Sequence, residues 1–371
     1  MIVEQQFTVI VSMIKIAQGN AYRAVNTELI NLYWNIGAYI HIHVENAKWG
    51  DKTVAELAKF IKYNNPDLKG FDRRGLYRMK QFYQTYHNSS IVSTVMTQFQ
   101  KVENQENTIV SMSLTQFEMQ DIKTTILAKV GWSNHLAIFG KCKKEEERKF
   151  YLSLCIKENY TFKELERQIN SSLFERMLIS NQVFSTLPAV LPANFENIFK
   201  ETYVLDFLNL PEPFSENDLQ KELVKQMKHF IAELGKDFLF VGEEYSVQVG
   251  NKDYRLDLLF YHRELQCLVA IELKITDFEP EHLSKLNFYL EALDRDVKKA
   301  HENPSIGILL CKGKDEEVVE YALSRNISPT LISQYTLALP NKEVLQNKLH
   351  EIYELFESRN NSEDQLKKEE E

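Results

Sequence analysis

Cysteine is scarce in this 371-residue chain: Cys142, Cys155, Cys267 and Cys311 are the only four, and no two of them form a C-x-x-C pair. Neither a disulfide framework nor a structural zinc site is expected from that spacing. Cys155, Cys267 and Cys311 lie in apolar stretches and read as small buried hydrophobes. Glycine (12) and proline (9) are also few. With 44% hydrophobic and 26% charged residues, the composition is that of a water-soluble globular protein. No apolar run is long enough to cross a bilayer. A basic leader is missing too. The opening MIVEQQFTVIVSMIKIAQ carries Glu4, and Phe7, Ile10, Val11, Ile14, Ala17 and Ala21 recur at helical spacing. It reads as an amphipathic helix rather than a signal peptide, which makes the cytoplasm the expected location and a membrane an unexpected partner.

Positive charge is lacking in one half only. Residues 1–180 hold 23 Lys and Arg against 18 Asp and Glu; residues 181–371 hold 21 against 35. A mildly basic half joined to a strongly acidic one points to two domains with different tasks.

The first half reads as helices. An apolar stripe runs from residue 2 to 44 through Leu29, Leu32, Tyr33 and Ile36, with a break expected near Gly19-Asn20. Thr53-x-x-Glu56 has the form of a capping box opening TVAELAKFIKY, and Asp72 can cap RRGLYRMKQFYQTY. Residues 87–116 are polar and read as a loop, with short strands entertained in IVSTVMTQF and TIVSMSL. Helices resume near Gln120 and Lys144, and Thr161-x-x-Glu164 opens the helix FKELERQINSSLFERML. Pro188, Pro192, Pro211 and Pro213 mark 181–214 as the connecting segment, although FENIFKETYVLDFL within it is apolar enough to dock.

From 215 the pattern becomes mixed. A helix over 215–235 presents Leu219, Leu223, Met227, Phe230 and Leu234 on one face. Three strands follow, FLFVGEEYSVQVG, YRLDLLFYH and QCLVAIELKI, turning at Gly250-Asn251-Lys252 and at His262-Arg263-Glu264. The helix EHLSKLNFYLEALD and the buried-type strand SIGILLC complete an α-β-β-β-α-β order. A helix at DEEVVEYALS, a strand at TLISQYTL and a helix from Asn341 come after them. Residues 359–371 form a charged tail of disordered character.

The strand CLVAIELKI is the most informative stretch. Alternation puts Val269, Ile271, Leu273 and Ile275 on one face and Leu268, Ala270, Glu272 and Lys274 on the other. A turn centred on Arg263-Glu264 sets Asp257 opposite Ala270, on the face of Glu272 and Lys274; a one-residue slip would send it to the other face. Two carboxylates held together in a sheet suffer desolvation and repulsion, and a divalent cation relieves both. Mg²⁺ prefers a couple of carboxylates plus water and phosphate oxygens, and the Leu273 carbonyl could add a further ligand. Lys274 could orient a water or stabilise charge on phosphorus oxygens. Taken alone, Glu272-x-Lys274 is equally an ion pair on a sheet surface. The helix before the sheet offers another acid, Glu222, or else Glu216, whose first-turn place also suits the helix dipole. Lys285 and Tyr289, four apart on the later helix, could reach phosphate, with Tyr289 equally a core aromatic. In the first half, Arg73, Arg74, Arg78 and Gln81 fall away from the apolar stripe Leu76, Met79, Tyr83 and Tyr86. That face, with Lys59, Lys62 and Lys69 nearby, is either a solvated basic surface or a contact for DNA phosphates and base edges.

The order α-β-β-β-α-β, with Asp257, fourteen residues, then Glu272-x-Lys274, resembles the PD-(D/E)XK nuclease superfamily. LDLLFYHRELQCLVAIELK, FEPEHLSKLNFYLEALD and NPSIGILLC resemble the YhcG-type nucleases of bacteria. GFDRRGLYRMKQFYQTY, GWSNHLAIF and EERKFYLSLCIKENYTFKELERQI resemble that family's helical amino-terminal domain. The resemblance covers most of residues 10–355. It implies a winged-helix-like, DNA-binding domain over 1–180 and a restriction-endonuclease-like nuclease domain over 215–358. It further implies a Mg²⁺-dependent DNA endonuclease (Mn²⁺ as substitute), with Asp257 and Glu272 as metal ligands and Lys274 as the catalytic lysine. Leu273 and Glu222 complete the expected metal set; Arg73, Arg74, Arg78 and Lys285 are the expected DNA contacts. The superfamily motif often has a Pro beside its first Asp; here Arg255-Leu256 precede Asp257. The alternative is a non-catalytic nucleic-acid-binding or assembly subunit. Beyond DNA, a homodimer or a larger defence or restriction assembly could use the amino-terminal helix.

Overall fold

The computed structural model describes residues 2–45, 49–92, 120–179, 198–326 and 328–351. The chain divides into two compact units, Met1–Ile169 and Asn170–Glu371.

The first unit begins with α1, Ile2–Glu45, a single uninterrupted helix. The break expected at Gly19-Asn20 does not occur. One mid-helix glycine costs only about 1 kcal/mol, and the side chain of Asn20 accepts from Arg23 without leaving the helix. From Ile30 onward, Tyr33, Trp34, Ala38 and Ile40 are buried. Helix α2, Asp51–Asn64, has its N-cap at Gly50, three residues ahead of the expected box, so Thr53 and Glu56 already lie inside it. Helix α3, Arg73–Tyr86, is capped as expected: the Gly75 N–H donates to Asp72 Oδ1 at 2.7 Å. Leu76, Met79, Tyr83 and Tyr86 are buried as the stripe requires, together with Phe82. Helices α1 and α3 touch closely at Gly37, where a Cβ would lie 2.1 Å from the Met79 carbonyl oxygen.

No long helix resumes at Gln120. Residues 120–130 form turns and one short 3-10 segment, Leu127–Lys129, because α1 satisfies their backbone. Asn35 exchanges two bonds of 2.9 Å with the Gln120 backbone, and Asn31 accepts from the Ile122 N–H. Then come α4, Trp132–Lys141, α5, Glu145–Glu158, and α6, Phe162–Asn170. The Thr161/Glu164 capping box forms. The helix expected over 162–178 is interrupted at Ser171-Ser172, where Ser172 adopts φ 52°. Residues 90–92 are helical, while the rest of the two entertained strands lies outside the described residues. Among the described residues of this unit there is no strand, and so no wing.

The second unit opens with α7, Leu173–Ile179, and strand β1, Thr202–Val204. Helices α8, Glu216–Lys225, and α9, Met227–Leu234, replace the single helix expected over 215–235; the chain turns at Gln226 (φ −99°, ψ 25°) between them. Strands β2, Phe238–Val249, β3, Lys252–His262, and β4, Cys267–Leu273, follow. After them come α10, His282–Ala292, β5, Ile306–Cys311, α11, Glu316–Leu323, and β6, Thr330–Thr336. The six-stranded sheet has the order β1-β6-β5-β4-β3-β2, with β1, β6, β5 and β4 parallel and β3 and β2 antiparallel. The α-β-β-β-α-β order is present, with its first helix in two parts.

Part of the stretch expected to connect the domains belongs to this unit. Residues 180–197 are outside the described residues, but Phe199 and Tyr203 are buried and β1 pairs with β6, Thr202 opposite Gln334. The apolar content of FENIFKETYVLDFL explains the docking: an edge strand that buries Tyr203, Val204 and the following Leu205 gains more than a solvated linker. The charged tail over 359–371 is outside the described residues.

Each face of the sheet carries a core. Leu219, Leu223, Phe230 and Leu234 pack with Leu258, Phe260, Val269, Ile271 and Leu273. Leu259, Leu268 and Ala270 pack on the other face with Leu283, Leu286, Leu290 and Val319. The parity read from β4 is therefore the parity of the fold. The register differs. His262 pairs with Cys267 and Leu258 with Ile271, so the loop is 263–266 and its centre is one residue later than expected. Gln266 takes φ 50° to close it. A one-residue shift of the centre slides the strands by two, so Asp257 keeps its face but lies level with Glu272 instead of Ala270.

Candidate active site

Strand β4 carries Glu272 into the core: all seven of its residues are buried, and Glu272 is 0% exposed. A fully buried carboxylate demands partners. Lys274 Nζ donates to Glu272 Oε1 at 3.1 Å, and Lys285 Nζ, from α10, donates to the same oxygen at 2.6 Å. The other oxygen, Oε2, is buried without a partner. Asp257 comes in from β3. Its Oδ2 accepts from the Leu273 N–H at 2.8 Å, which ties the two strands at the point where their ladder ends. Burial, and then the charge of Glu272, push the Asp257 carboxyl up to about 6.

Lys274 follows β4, and its N–H continues the ladder to the Leu310 carbonyl. Its ammonium donates to Glu216 Oε2 (3.1 Å), Glu272 Oε1 (3.1 Å) and the Leu273 carbonyl (2.9 Å). Burial works to lower the Lys274 pKa, but Glu272 and Glu216 outweigh it and the net shift is upward. The three acceptors hold this ammonium in place.

The expected helix acid, Glu222, is not brought here. It pairs with Lys225, three residues on, at 3.0 Å. Glu216 takes the place instead, from the first turn of α8. Six residues separate the two, about 240° around a helix, so only one of them can face the sheet end. Gln220, one turn after Glu216, was not singled out by sequence reasoning; its Nε2 donates to the Asp257 carbonyl at 3.0 Å. The four-residue spacing from Glu216 could have found it. Glu244, at φ 43° beside Asp257 in the next strand, holds Arg255 at 2.8 Å and had no signal in the sequence. Lys285, expected as a DNA contact, is half-exposed and joins the carboxylates. Tyr289 is buried, and its hydroxyl donates to the Arg255 carbonyl at 2.5 Å.

Among the described residues no group of three or more His, Cys, Asp and Glu could hold a metal ion. The donor set at this site is two carboxylates and a carbonyl: Asp257, Glu272 and Leu273. It suits a hard divalent cation, because Glu272 Oε2 is an orphaned buried acceptor and Asp257 is driven towards its protonated form by burial and by the charge of Glu272, both of which a cation would offset. In the other unit, Arg73 and Arg74 are exposed on α3 and Arg78 is half-buried. The Arg73 guanidinium lies 5.6 Å from the centre of the Tyr77 ring.

A mixed sheet with this helix order holds paired carboxylates and a lysine where β3 and β4 part, the arrangement that the resemblance to PD-(D/E)XK nucleases implies. Two family models match the chain: the YhcG PDDEXK nuclease domain over residues 196–350 and the DUF1016 N-terminal domain over 9–176. The two matches together cover most of the chain, the second falling on its helical amino-terminal region and the first on its mixed-sheet domain. The chain is 29% identical over 352 residues, 92% of each chain, to YhcG of Escherichia coli (strain K12), whose name gives nuclease as a provisional assignment. Among solved structures, a repair endonuclease from Pyrococcus abyssi matches with 16% identity and a TM-score of 0.23, covering 35% of this chain and 50% of that one. An EndoMS–dsDNA complex matches with 17% identity and a TM-score of 0.22, covering 32% and 46%. The match spans about half the length of each of these structures.

Proposed function

We propose that this chain is a Mg²⁺-dependent endonuclease that hydrolyses DNA phosphodiester bonds. The observation that carries the reading is Glu272: fully buried, two lysines on one oxygen, none on the other, with a second carboxylate level with it across the strand pair. Asp257, Glu272 and the Leu273 carbonyl are the residues that would hold the cation. A divalent ion there supplies a Lewis acid for the phosphoryl oxygen and lowers the pKa of a bound water.

The chain's own residues do the rest. The Leu273 N–H fixes the Asp257 carboxylate, and Gln220 fixes the backbone behind it. Lys274, kept protonated by Glu272 and Glu216, stabilises the charge that grows on the non-bridging oxygens as the phosphorus is attacked. Lys285, at the rim, binds a phosphate oxygen. In the amino-terminal unit, Arg73, Arg74 and Arg78 contact the DNA backbone, a task the acidic second half is poorly suited to.

Supercoiled plasmid incubated with Mg²⁺, and separately with EDTA, tests the reading beside Asp257→Ala and Lys274→Ala. Cleavage by the wild type with Mg²⁺ alone is the expected result. Equal cleavage by wild type and variants would sink it, and binding without cleavage under both Mg²⁺ and Mn²⁺ would replace it with a non-catalytic subunit.

A further inference from the structure

Helix α1 changes character along its length. From Ile30 on, it is packed into its unit. Between Val11 and Val25 every described side chain except Gly19 is exposed. A free helical segment of this size is marginal in water, since most helical stability in proteins comes from packing of an apolar face. This segment has such a face. At 100° per residue, Val11, Ile14, Gln18, Ala21, Tyr22 and Val25 fall within one stripe about 100° wide, and Leu32, 41% exposed, continues it. Val11, Ile14, Tyr22 and Val25 are between 47% and 79% exposed. Met13 and Ile16, 64% and 61% exposed, lie outside the stripe on the helix's other side; the unbroken run of Val11, Ile14, Tyr22 and Val25 marks an interaction surface rather than ordinary scatter.

The stripe's chemistry selects its occupant. Between Val11 and Val25 only Lys15 and Arg23 are charged, and neither falls within the stripe. That excludes the dense basic face by which an interfacial helix grips an anionic membrane, and equally the cluster of cations that binds a phosphate backbone. A nearly neutral apolar stripe is complementary to a surface like itself. Its spacing is also self-complementary. Val11 and Val25 are each seven residues from Gln18, so the stripe has Gln18 at its midpoint. Paired in parallel and in register, or antiparallel about that midpoint, Gln18 meets the partner's Gln18. An amide is both donor and acceptor and can satisfy its own copy, and one polar residue within an apolar seam is how helix pairs fix their register.

We propose that residues 11–25 of α1 are the pairing surface of a homodimer, joined helix to helix through Val11, Ile14, Gln18, Tyr22 and Val25. A two-fold dimer carries two copies of the Asp257/Glu272/Lys274 cluster. The pairing itself depends on neither metal nor DNA, and so stands or falls apart from the nuclease reading.

The test is the mass of the full chain by light scattering after size exclusion, in the absence of metal and DNA. The expected result is twice the 43.5 kDa chain mass for the wild type and a single chain mass for Val11→Glu combined with Val25→Glu. Both side chains are exposed within the chain, so circular dichroism and resistance to proteolysis of the remaining structure should be unchanged in the variant. A second measurement does not rely on disrupting anything. Gln18→Cys should form a disulfide-linked dimer under mild oxidation, and the wild type should not, because all four native cysteines are buried. A monomeric wild type, a dimer that survives both glutamates, or no cross-link at Gln18→Cys would each overturn the proposal. So would a monomer that floats with phosphatidylcholine–phosphatidylserine vesicles through the same stripe.

Discussion

Asp257 bears the unfavourable electrostatics of the site. Its folded pKa of about 6 is above its ordinary 3.8, so between those values the folded chain keeps a proton that the unfolded chain has released. Stability from this group is fully present below the lower value and is lost as pH rises through the upper one. Near neutral pH the ionised carboxylate destabilises the metal-free fold by on the order of 1–3 kcal/mol. Asp257→Asn keeps an acceptor for the Leu273 N–H and removes the charge. In EDTA it should unfold at a higher urea concentration than wild type near neutral pH, with the advantage vanishing at about pH 4. Saturating Mg²⁺ should reverse the order, because the wild type alone gains a charged ligand. A variant less stable than wild type in EDTA at neutral pH would contradict this account. At the same scale, the choice between Glu216 and Glu222 was closed to sequence reasoning, since both are acids on one helix and only its rotation about its axis decides which faces the sheet end. Glu272 and Lys274, by contrast, were legible, because strand parity needs no tertiary information.

The elements show why the rest of the fold was only partly legible. Continuous apolar β5 and the alternating β4 read directly, because period and burial are local properties. Where helices end did not. Thr53-x-x-Glu56 has the letters of a capping box but lies inside α2, and the 44-residue α1 runs through Gly19 because nothing there needs a turn. Gly37, seemingly equivalent, is different in kind. Its missing Cβ lets α1 approach α3, so Gly37→Ala must push the Met79 backbone away and should destabilise by at least about 1–3 kcal/mol. At Gly19 the nearest obstacle to a Cβ is the Arg23 guanidinium, 3.9 Å away, and Gly19→Ala should instead raise helicity. Thermal melts followed by circular dichroism will separate the two. A second element-scale device is Glu233, buried at the end of α9. It pairs with Arg176 of α7 and with Lys200, and accepts from the Val204 N–H of β1. Glu233→Ala leaves two largely buried cations short of their shared anion and should cost about 3–5 kcal/mol in urea unfolding. Nothing in the sequence joins residues 176, 200, 204 and 233, which is why the stretch before Glu216 read as a connection.

For the molecule as a whole, the proposed function assigns DNA holding to the basic half and cutting to the acidic one. If Arg73 and Arg74 each neutralise a phosphate, replacing both with alanine should lower the slope of log affinity against log salt by about 2. Binding titrations from low to moderate salt measure that slope, and an unchanged one would remove α3 from the interface. Another whole-molecule property lies in the loop at 263–266. It is pinned on several sides: the Leu265 N–H donates to His262 Nδ1, the Arg263 N–H to the Asp237 carbonyl, and the Asn303 side chain to the Leu265 carbonyl. At about 3.3 Å per residue it is roughly 17 Å along β3 from Asp257. Wherever the strands follow the loop, it acts as a length gauge. A change of one residue there would exchange the side chains of one core for those of the other along a whole strand, whereas a change of two would keep both faces and bring a different side chain level with Glu272. Lineages drifting at this remote turn can therefore move only in even steps, and each step resets the span between the carboxylates.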